Sequence, residues 1–251
     1  MKRYLISVAL VAAMVLANSH GARAQDEITV LAPGSIRQAL GQLAPAYEQK
    51  TGQKVKVTFG SGAGTKKQAA QGDAFDVIVL QPPYPEVLAS GNVVNESATP
   101  LATVSIGVAV RKGAAKPDIS TADAVKRMLL AASSIAYPDP AGAASGVSVN
   151  DAFKKLGIAE QLQPKIKLAM APLTLVAKGD AEIALAYLVD MNDPGVDVVG
   201  PLPRDVSTPT AFVGFVSAHA KDAAAAKALL DYLASPEAAP VYTAKGMQPG
   251  S

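Results

Sequence analysis

ITVLAPGS at residues 28–35, together with the fifty residues after it, decides the fold of this chain. Its first five residues predict a short buried strand, and helical spacing begins at Ile36. VKVTF at residues 55–59 alternates as a second strand, the glycine-rich turn at residues 60–65 leads into a helix, and DVIVL at residues 76–80 is a third strand. This β-α-β-α-β order predicts a parallel sheet covered by helices.

A second α/β unit comes next, and the chain then returns to the first. The predicted strands of the second unit lie at residues 104–110, 134–137, 165–169, 183–188 and 196–199, with helices between them. A strand at residues 210–217 and two helices at 220–233 and 236–245 complete the first unit. We predict two lobes, with lobe 1 at residues 25–105, lobe 2 at 106–212 and a return to lobe 1 at 213–251. Two strands near residues 104–108 and 212–216 are expected to cross between the lobes.

The first 24 residues have the pattern of a secretory signal peptide. Lys2 and Arg3 form its positive start, residues 5–17 are apolar but too few for a comfortable membrane span, and Ala22-Arg23-Ala24 is typical of a cleavage site. An uncleaved anchor helix is the alternative. We expect the mature chain to begin at Gln25, without a membrane anchor and confined to the periplasm.

Removal of this leader changes the charge of the protein. The leader carries three of the 23 basic residues and none of the 21 acidic ones, so the mature net charge is −1 instead of +2. The calculated pI of 8.6 therefore belongs to the precursor and gives no support for a nucleic-acid partner.

The rarity of cysteine and histidine excludes several kinds of chemistry. The chain has no cysteine, and the mature part has a single histidine, His219. Thiol nucleophiles, cysteine-based zinc sites and multi-histidine metal centres are therefore excluded, and no metal or cofactor is expected. His219 comes after an apolar strand, and we interpret it as a surface turn residue and not as the base of a catalytic triad.

Three strand-loop-helix junctions have the features of an anion site. Gly34 and Ser35 open one helix, Ser61 and Gly62 lie in the turn before another, and Ser145 precedes a third helix in the second lobe. Helix N-termini present free N–H groups, glycine lets an anion approach the backbone, and serine adds a hydroxyl donor. Ordinary helix capping by Ser35 and by Thr65 explains the same residues and stays open as the alternative.

Tyr187 ends an apolar strand and is a further candidate donor. Its O–H, at a strand's carboxyl end, is suited to a ligand in the cleft. A half-buried structural tyrosine, with Asp190 as a helix cap, is the competing interpretation.

The chain resembles a known family, the periplasmic molybdate-binding proteins. The resemblance is carried by ITVLAPGS at residues 28–35, FGSG at 59–62, QAAQGDAFDV at 68–77, YPDP at 137–140, AYLVD at 186–190 and YLASPEAA at 232–239. It implies an α/β, two-lobed type II periplasmic-binding-protein fold, in which each lobe is a mostly parallel sheet flanked by helices and two crossing strands join the lobes.

The same resemblance implies how a ligand is held. In that family an oxyanion is bound by serine hydroxyls, backbone N–H groups and a tyrosine, with no counter-charge. By resemblance Ser35 is the first serine and Tyr187 the tyrosine. The second serine falls on Gly62, with Ser61 one residue earlier, and backbone donors fall near Ser145 and Ala169.

The resemblance implies two functions. The first is capture of a small anion, a molybdate-type oxyanion or a small carboxylate, by a monomer that delivers it to an ABC transporter permease without turnover. The second is isomerisation, since the aconitate isomerases resemble the same family. A larger carboxylate would use the room at Gly62 and the cations Arg37, Lys66 or Lys67, although these are also explained as solvated helix residues. The base for such an enzyme is reduced to Tyr187, Asp139, a serine or a lysine.

Overall fold

The structure is a computed structural model that describes residues 27–250. The predicted signal peptide and its cleavage site lie outside the described residues. Within residues 27–250, no helix is both long and apolar enough to span a bilayer.

The predicted β-α-β-α-β unit is confirmed, and it continues into a strand that sequence reasoning did not separate. Its elements are β1 (Ile28–Pro33), α1 (Arg37–Thr51), β2 (Val55–Gly60), α2 (Gly62–Gln71), β3 (Val77–Leu80), α3 (Pro85–Ser90) and β4 (Thr99–Val104). A short 3-10 helix (Gly34–Ile36) precedes α1, and another (Asn95–Ser97) precedes β4. α1 and α2 both end at a glycine in the left-handed conformation, Gly52 and Gly72, which is a common helix stop.

The second unit and the returning segment have their elements in the predicted order. The second unit consists of β5 (Ile106–Arg111), α4 (Ala122–Ala131), β6 (Ile135–Tyr137), α5 (Ala144–Lys155), α6 (Ala159–Leu162), β7 (Ile166–Leu168), α7 (Pro172–Lys178), β8 (Ile183–Tyr187) and β9 (Val196–Pro201). Two 3-10 helices, Gln163–Lys165 and Leu188–Asp190, lie between them. The chain then forms β10 (Thr210–Val216), α8 (Ala223–Leu233), α9 (Ala239–Ala244) and β11 (Gln248–Pro249).

Within the described residues the strands form two mixed sheets. The first has the order β11-β4-β10-β3-β1-β2 and the second β7-β6-β8-β5-β9. β1 pairs in parallel with β2 and β3, as predicted, but β10 and β4 add antiparallel pairs. In the second sheet β6 pairs in parallel with β7 and β8, while β5 is antiparallel to β8 and β9. The sheets are therefore mixed and not mostly parallel, because β10 in the first sheet and β5 in the second run antiparallel to the strands on either side of them.

The chain passes between the sheets at two connections. The predicted single strand at residues 104–110 is interrupted at Ser105, with β4 in the first sheet and β5 in the second. The second connection spans residues 202–209, where Pro203 and Pro209 lack the N–H that a strand ladder needs. β10 lies wholly in the first sheet from Thr210 onward, so the crossing precedes the residues 212–216 predicted for it.

A buried carboxylate joins elements of the first lobe. Asp76 is 4% exposed and accepts hydrogen bonds from the Thr29 N–H at 2.8 Å, the Thr29 hydroxyl at 2.7 Å and the Lys221 N–H at 2.8 Å. Burial alone would raise its pKa, but these hydrogen bonds outweigh it and lower the pKa below the ordinary value. Asp76 thereby fixes the start of β3 against β1 and the turn that comes after β10.

The start of α5 positions one side of the cleft between the lobes. α5 begins at Ala144, so Ser145 lies in its first turn and not before the helix as predicted. A Cβ on Gly146 would lie 2.1 Å from the carbonyl oxygen of Pro138. Only glycine allows this helix start to pack directly on the loop after β6.

Candidate functional site

The two lobes meet at the carboxyl ends of their parallel strands. A Cβ placed on Gly62, at the start of α2, would lie 3.7 Å from the Cβ of Ala144, at the start of α5. Gln38 of α1 donates its side-chain N–H to the carbonyl of Val189 across the same boundary, at 3.5 Å. The junctions predicted for an anion site therefore face each other across one cleft.

Two fully buried side chains at this cleft carry polar atoms with no hydrogen-bond partner among the described residues. They are Nε2 of Gln81, directly after β3, and the hydroxyl of Tyr187, at the end of β8. Each residue is only 2% exposed. An unpartnered buried polar atom costs about 1–3 kcal/mol, and such atoms are rare in folded proteins. One unpartnered polar atom therefore comes from each lobe.

Two further hydroxyls lie beside Tyr187. Ser148 of α5 and Thr210, the first residue of β10, are hydrogen-bonded through their hydroxyls at 3.1 Å. Burial raises the pKa of Tyr187, and the side chains of Thr210, Ser148 and Gln81 partly offset this effect. None of the three completes a hydrogen bond with the Tyr187 hydroxyl, and the Ser148 hydroxyl also donates to the carbonyl of Ala144 at 3.1 Å.

Ser35 and Gly34 lie on the first-lobe side of the cleft. Ser35 is half-buried, and its hydroxyl points to Oε1 of Gln81 at 3.5 Å, the long limit for a hydrogen bond. Its side chain caps neither the 3-10 helix nor α1, so the capping alternative fails for Ser35. Gly34 is exposed, in the first turn of the 3-10 helix.

A side chain does cap the helix at the glycine-rich turn, but it belongs to Ser61 and not to Thr65. Ser61 is the N-cap of α2, and its hydroxyl accepts the Gly64 N–H at 3.0 Å. Thr65 instead donates its hydroxyl to the carbonyl of Ser61 at 2.9 Å. Because Ser61 is exposed and used in capping, Gly62 is the member of this turn that faces the opposite lobe.

The two second-lobe candidates differ: Ser145 lies beside the cleft, whereas the N–H of Ala169 is hydrogen-bonded within the protein. Ser145 is 5% exposed in the first turn of α5, next to Ala144. The N–H of Ala169 donates to the carbonyl of Tyr137 at 3.1 Å, so this donor is already used within the protein.

Asp190 is an ionisable group near Tyr187 that sequence reasoning considered only as a helix cap. It lines a cavity of about 600 Å³ together with Pro138, Ala186 and Asn192. Water reaches Asp190, but the walls of the cavity replace part of the water around the carboxyl, and this burial raises its pKa from 3.8 to about 6. A carboxyl with a pKa raised in this way meets one requirement of a general base, a proton affinity close to neutral pH.

Two of the three candidate cations, Arg37 and Lys66, contact groups other than carboxylates. The guanidinium carbon of Arg37 is 4.2 Å from the ring centroid of Phe59. The Lys66 ammonium donates to the carbonyl of Pro83 at 2.8 Å, and burial lowers its pKa. Lys67 is exposed on α2.

The predicted surface role of His219 is confirmed, because the residue is exposed in a turn and its Nε2 lies 2.9 Å from Oδ1 of Asn92. Among the described residues there is no cluster of three or more histidine, cysteine, aspartate or glutamate side chains that would hold a metal ion.

Three polar residues at the cleft were not predicted from the sequence: Gln81, Ser148 and Thr210. Gln81 had a usable signal, since it comes directly after the buried strand at residues 76–80 and strand ends line such clefts. Ser148 and Thr210 had none, because they come from a helix interior and a distant strand.

Comparison with known proteins shows which family and which relatives the chain resembles. A family model described as bacterial extracellular solute-binding protein matches residues 28–248. An aconitate isomerase from Pseudomonas sp. is 34% identical over 232 residues, covering 88% of this chain and 87% of the relative. The molybdate-binding protein ModA of Escherichia coli strain K12 is 27% identical over 230 residues, covering 88% of this chain and 89% of that protein.

Solved structures agree on the fold. The periplasmic molybdate-binding protein of Azotobacter vinelandii superposes with a TM-score of 0.69 at 21% identity, covering 88% of this chain and 98% of that chain. At this identity the similarity establishes the two-lobed architecture only.

Proposed function

This chain belongs to the bacterial extracellular solute-binding protein family, and from that premise we propose that it binds a small anion in the cleft between its lobes. The observation that carries the proposal is the pair of unpartnered buried donors, Gln81 Nε2 and the Tyr187 hydroxyl. They come from different lobes, so one ligand that accepts from both would hold the lobes together.

The chemistry of the cleft favours an oxyanion or a carboxylate. Its polar groups are an amide and hydroxyls, from Gln81, Ser35, Tyr187, Ser148 and Thr210, and both kinds of group are donors that suit ligand oxygens. Each hydrogen bond to a charged group contributes about 1.5–3 kcal/mol. Several such bonds offset the loss of water around an anion without a counter-charge in the site.

Within this proposal the protein acts outside the cytoplasm. The signal-peptide pattern at residues 1–24 and the match to an extracellular family support a periplasmic location. The partner is an ABC transporter permease that receives the ligand from a monomeric binding protein.

The test is a thermal-shift panel on the chain from Gln25 onward. We would compare molybdate, tungstate, sulfate and phosphate with citrate, cis-aconitate and trans-aconitate. A ligand at a hundred times its Kd adds about 2.7 kcal/mol of stability, which is a shift of a few degrees for a chain of this size. At least one compound should produce it, and the absence of a shift across the whole panel would refute the proposal.

Isomerisation of an unsaturated tricarboxylate is a second candidate, favoured by Asp190. The reaction moves one proton: a base takes it from the CH2 group, and the proton returns to the alkene carbon as the double bond shifts. With its raised pKa and its place near Tyr187, Asp190 is suited to carry that proton. The aconitate isomerase at 34% identity adds support.

Turnover separates the two candidates. Purified protein would be incubated with cis-aconitate and trans-aconitate separately, and the other isomer measured by chromatography. For an enzyme, Asp190→Asn should abolish interconversion and still bind trans-aconitate, whereas Asp180→Asn, an exposed control, should retain activity. Binding without interconversion in the unmodified protein would eliminate the isomerase.

A further inference from the structure

We propose that Gln81 determines ligand specificity in the cleft, and that Gly62 keeps its amide accessible to the ligand. This inference rests on the proposed function. It adds a residue that neither the helix-junction pattern nor the family resemblance indicated.

Gln81 is placed like a ligand contact and not like a structural residue. It lies directly after β3 and is 2% exposed, and the Ser35 hydroxyl approaches its Oε1 only at 3.5 Å. Both hydrogens of Nε2 remain unused among the described residues. A glutamine buried for structural reasons would have its amide paired with backbone or side-chain groups.

Gly62 sets the space in front of this amide. A Cβ on Gly62 would lie 3.6 Å from Oε1 of Gln81 and 3.7 Å from the Cβ of Ala144, which is ordinary contact. A side chain longer than one carbon would enter the gap between Gln81 and the opposite lobe. The absence of a side chain at residue 62 therefore leaves space for the long amide at residue 81 to act as a donor on this side of the cleft.

The neutral amide also defines which ligands are accepted. Its nitrogen supplies two donors to ligand oxygens, whereas a carboxylate in its place could only accept and would repel an anion. A serine at residue 62 would bring a hydroxyl to the same region, so the two positions should substitute for each other functionally.

The first experiment is calorimetric titration of molybdate and of trans-aconitate into four proteins: unmodified, Gln81→Leu, Gln81→Glu and Gln71→Glu. We expect Gln81→Leu to weaken binding roughly 10- to 100-fold, the effect of one hydrogen bond to a charged group. Gln81→Glu should weaken it further. Gln71→Glu makes the same charge change at an exposed position of α2 and should stay within about twofold of the unmodified protein.

The second experiment is a rescue. In the Gln81→Ala background, Gly62→Ser should recover about tenfold or more of the lost affinity, while in the unmodified background it should bring no gain. Additive effects of the two changes would contradict the coupling between these positions.

Stability provides a readout that does not depend on ligand. Gln81→Leu removes an unpartnered buried amide and should unfold at the same temperature or higher. A clearly lower unfolding temperature, or unchanged affinity in Gln81→Leu, would overturn the inference and leave the binding function intact. Failure of the unmodified protein to bind either probe, with a flat thermal-shift panel, would instead refute the proposed function itself.

Discussion

Two tyrosines in this protein carry buried hydroxyls that have no hydrogen-bond partner among residues 27–250, and the two lie in different parts of the molecule. Tyr187 is at the cleft, and Tyr242 is on α9 inside the first lobe. Both are at most 2% exposed, and burial raises the pKa of each. Replacing each tyrosine in turn therefore distinguishes the effect of a buried hydroxyl on stability from its effect on ligand binding.

Replacing Tyr187 with phenylalanine should weaken ligand binding and leave the fold intact. We expect an unfolding temperature equal to or above that of the unmodified protein, because an unpaired polar atom is removed. Affinity for the panel compound that binds should fall roughly 10- to 100-fold by calorimetry. Tyr242→Phe is the matched control, with a similar effect on stability and none on affinity. Equal affinities for both variants would remove Tyr187 from the site.

Asp76 gives a prediction for stability and its pH dependence. Asp76→Asn loses one of two acceptor oxygens that serve three donors, so the free energy of unfolding at pH 7 should fall by about 2–4 kcal/mol. The pKa of Asp76 is lowered by folding, so its contribution is complete above the unfolded pKa and is lost as pH falls through the folded value.

Denaturant melts of Asp76→Asn between pH 7 and pH 3 would check this. The difference from the unmodified protein should be constant down to about pH 4 and shrink below it. Asp73→Asn, an exposed neighbour, should show no difference. A difference that grows as pH falls would contradict the assignment.

At the scale of elements, the position of one helix start decides the second-lobe side of the cleft. α5 begins at Ala144 because Gly146 lets it approach the backbone of the loop after β6. Ser145 and Ser148 lie on the first turns of this helix, so its placement also places their hydroxyls.

Gly146→Ala should be destabilising, although alanine is the better helix former. The added Cβ would lie 2.1 Å from the carbonyl oxygen of Pro138, which is backbone and cannot turn away. We expect a loss of about 1–3 kcal/mol in unfolding free energy, and weaker ligand binding as α5 shifts. Gly142→Ala, four residues earlier with nothing within 4 Å of the added carbon, is the control and should be close to neutral. A neutral Gly146→Ala would show that the loop and helix separate easily.

At the scale of the whole molecule, the lobes are in contact across the cleft. The contacts are the approach of Gly62 to Ala144 and the hydrogen bond from Gln38 to Val189. We expect a ligand to enter and leave this cleft as these contacts open, which requires relative motion of the lobes about the two connections.

A disulfide between Gly62→Cys and Ala144→Cys should lock the lobes together. The 3.7 Å Cβ separation fits a disulfide, and the chain has no cysteine of its own to compete. Oxidation should raise the unfolding temperature and slow association of the bound panel compound at least tenfold by stopped flow, an order-of-magnitude expectation for a closed cleft. Reduction should restore the rate.

The double variant kept reduced, which carries the same two side chains without the disulfide, is the control and sets the association rate for the comparison. Rapid binding by the fully oxidised double variant would mean that the ligand does not enter between the lobes.

The sequence by itself determined the local parts of this protein. The β-α-β-α-β order, the buried strands at residues 76–80 and 183–187, and the helix junctions at Ser35 and Gly62 are encoded by periodicity and turn residues, which act over a few neighbours. Tyr187 could be predicted as a candidate donor because a strand end is a local signal that also has a known place in a parallel sheet.

Only the tertiary structure decided which of these parts meet. The pairing of Ser148 with Thr210, the approach of Gln81 to Gly62 and the use of the Ala169 N–H by Tyr137 depend on residues far apart in the chain. The break at Ser105 and the antiparallel strands of both sheets have the same origin, since an apolar run carries no information about which sheet it joins. Contact between distant segments is set by how the lobes pack, and packing is a property of the whole chain.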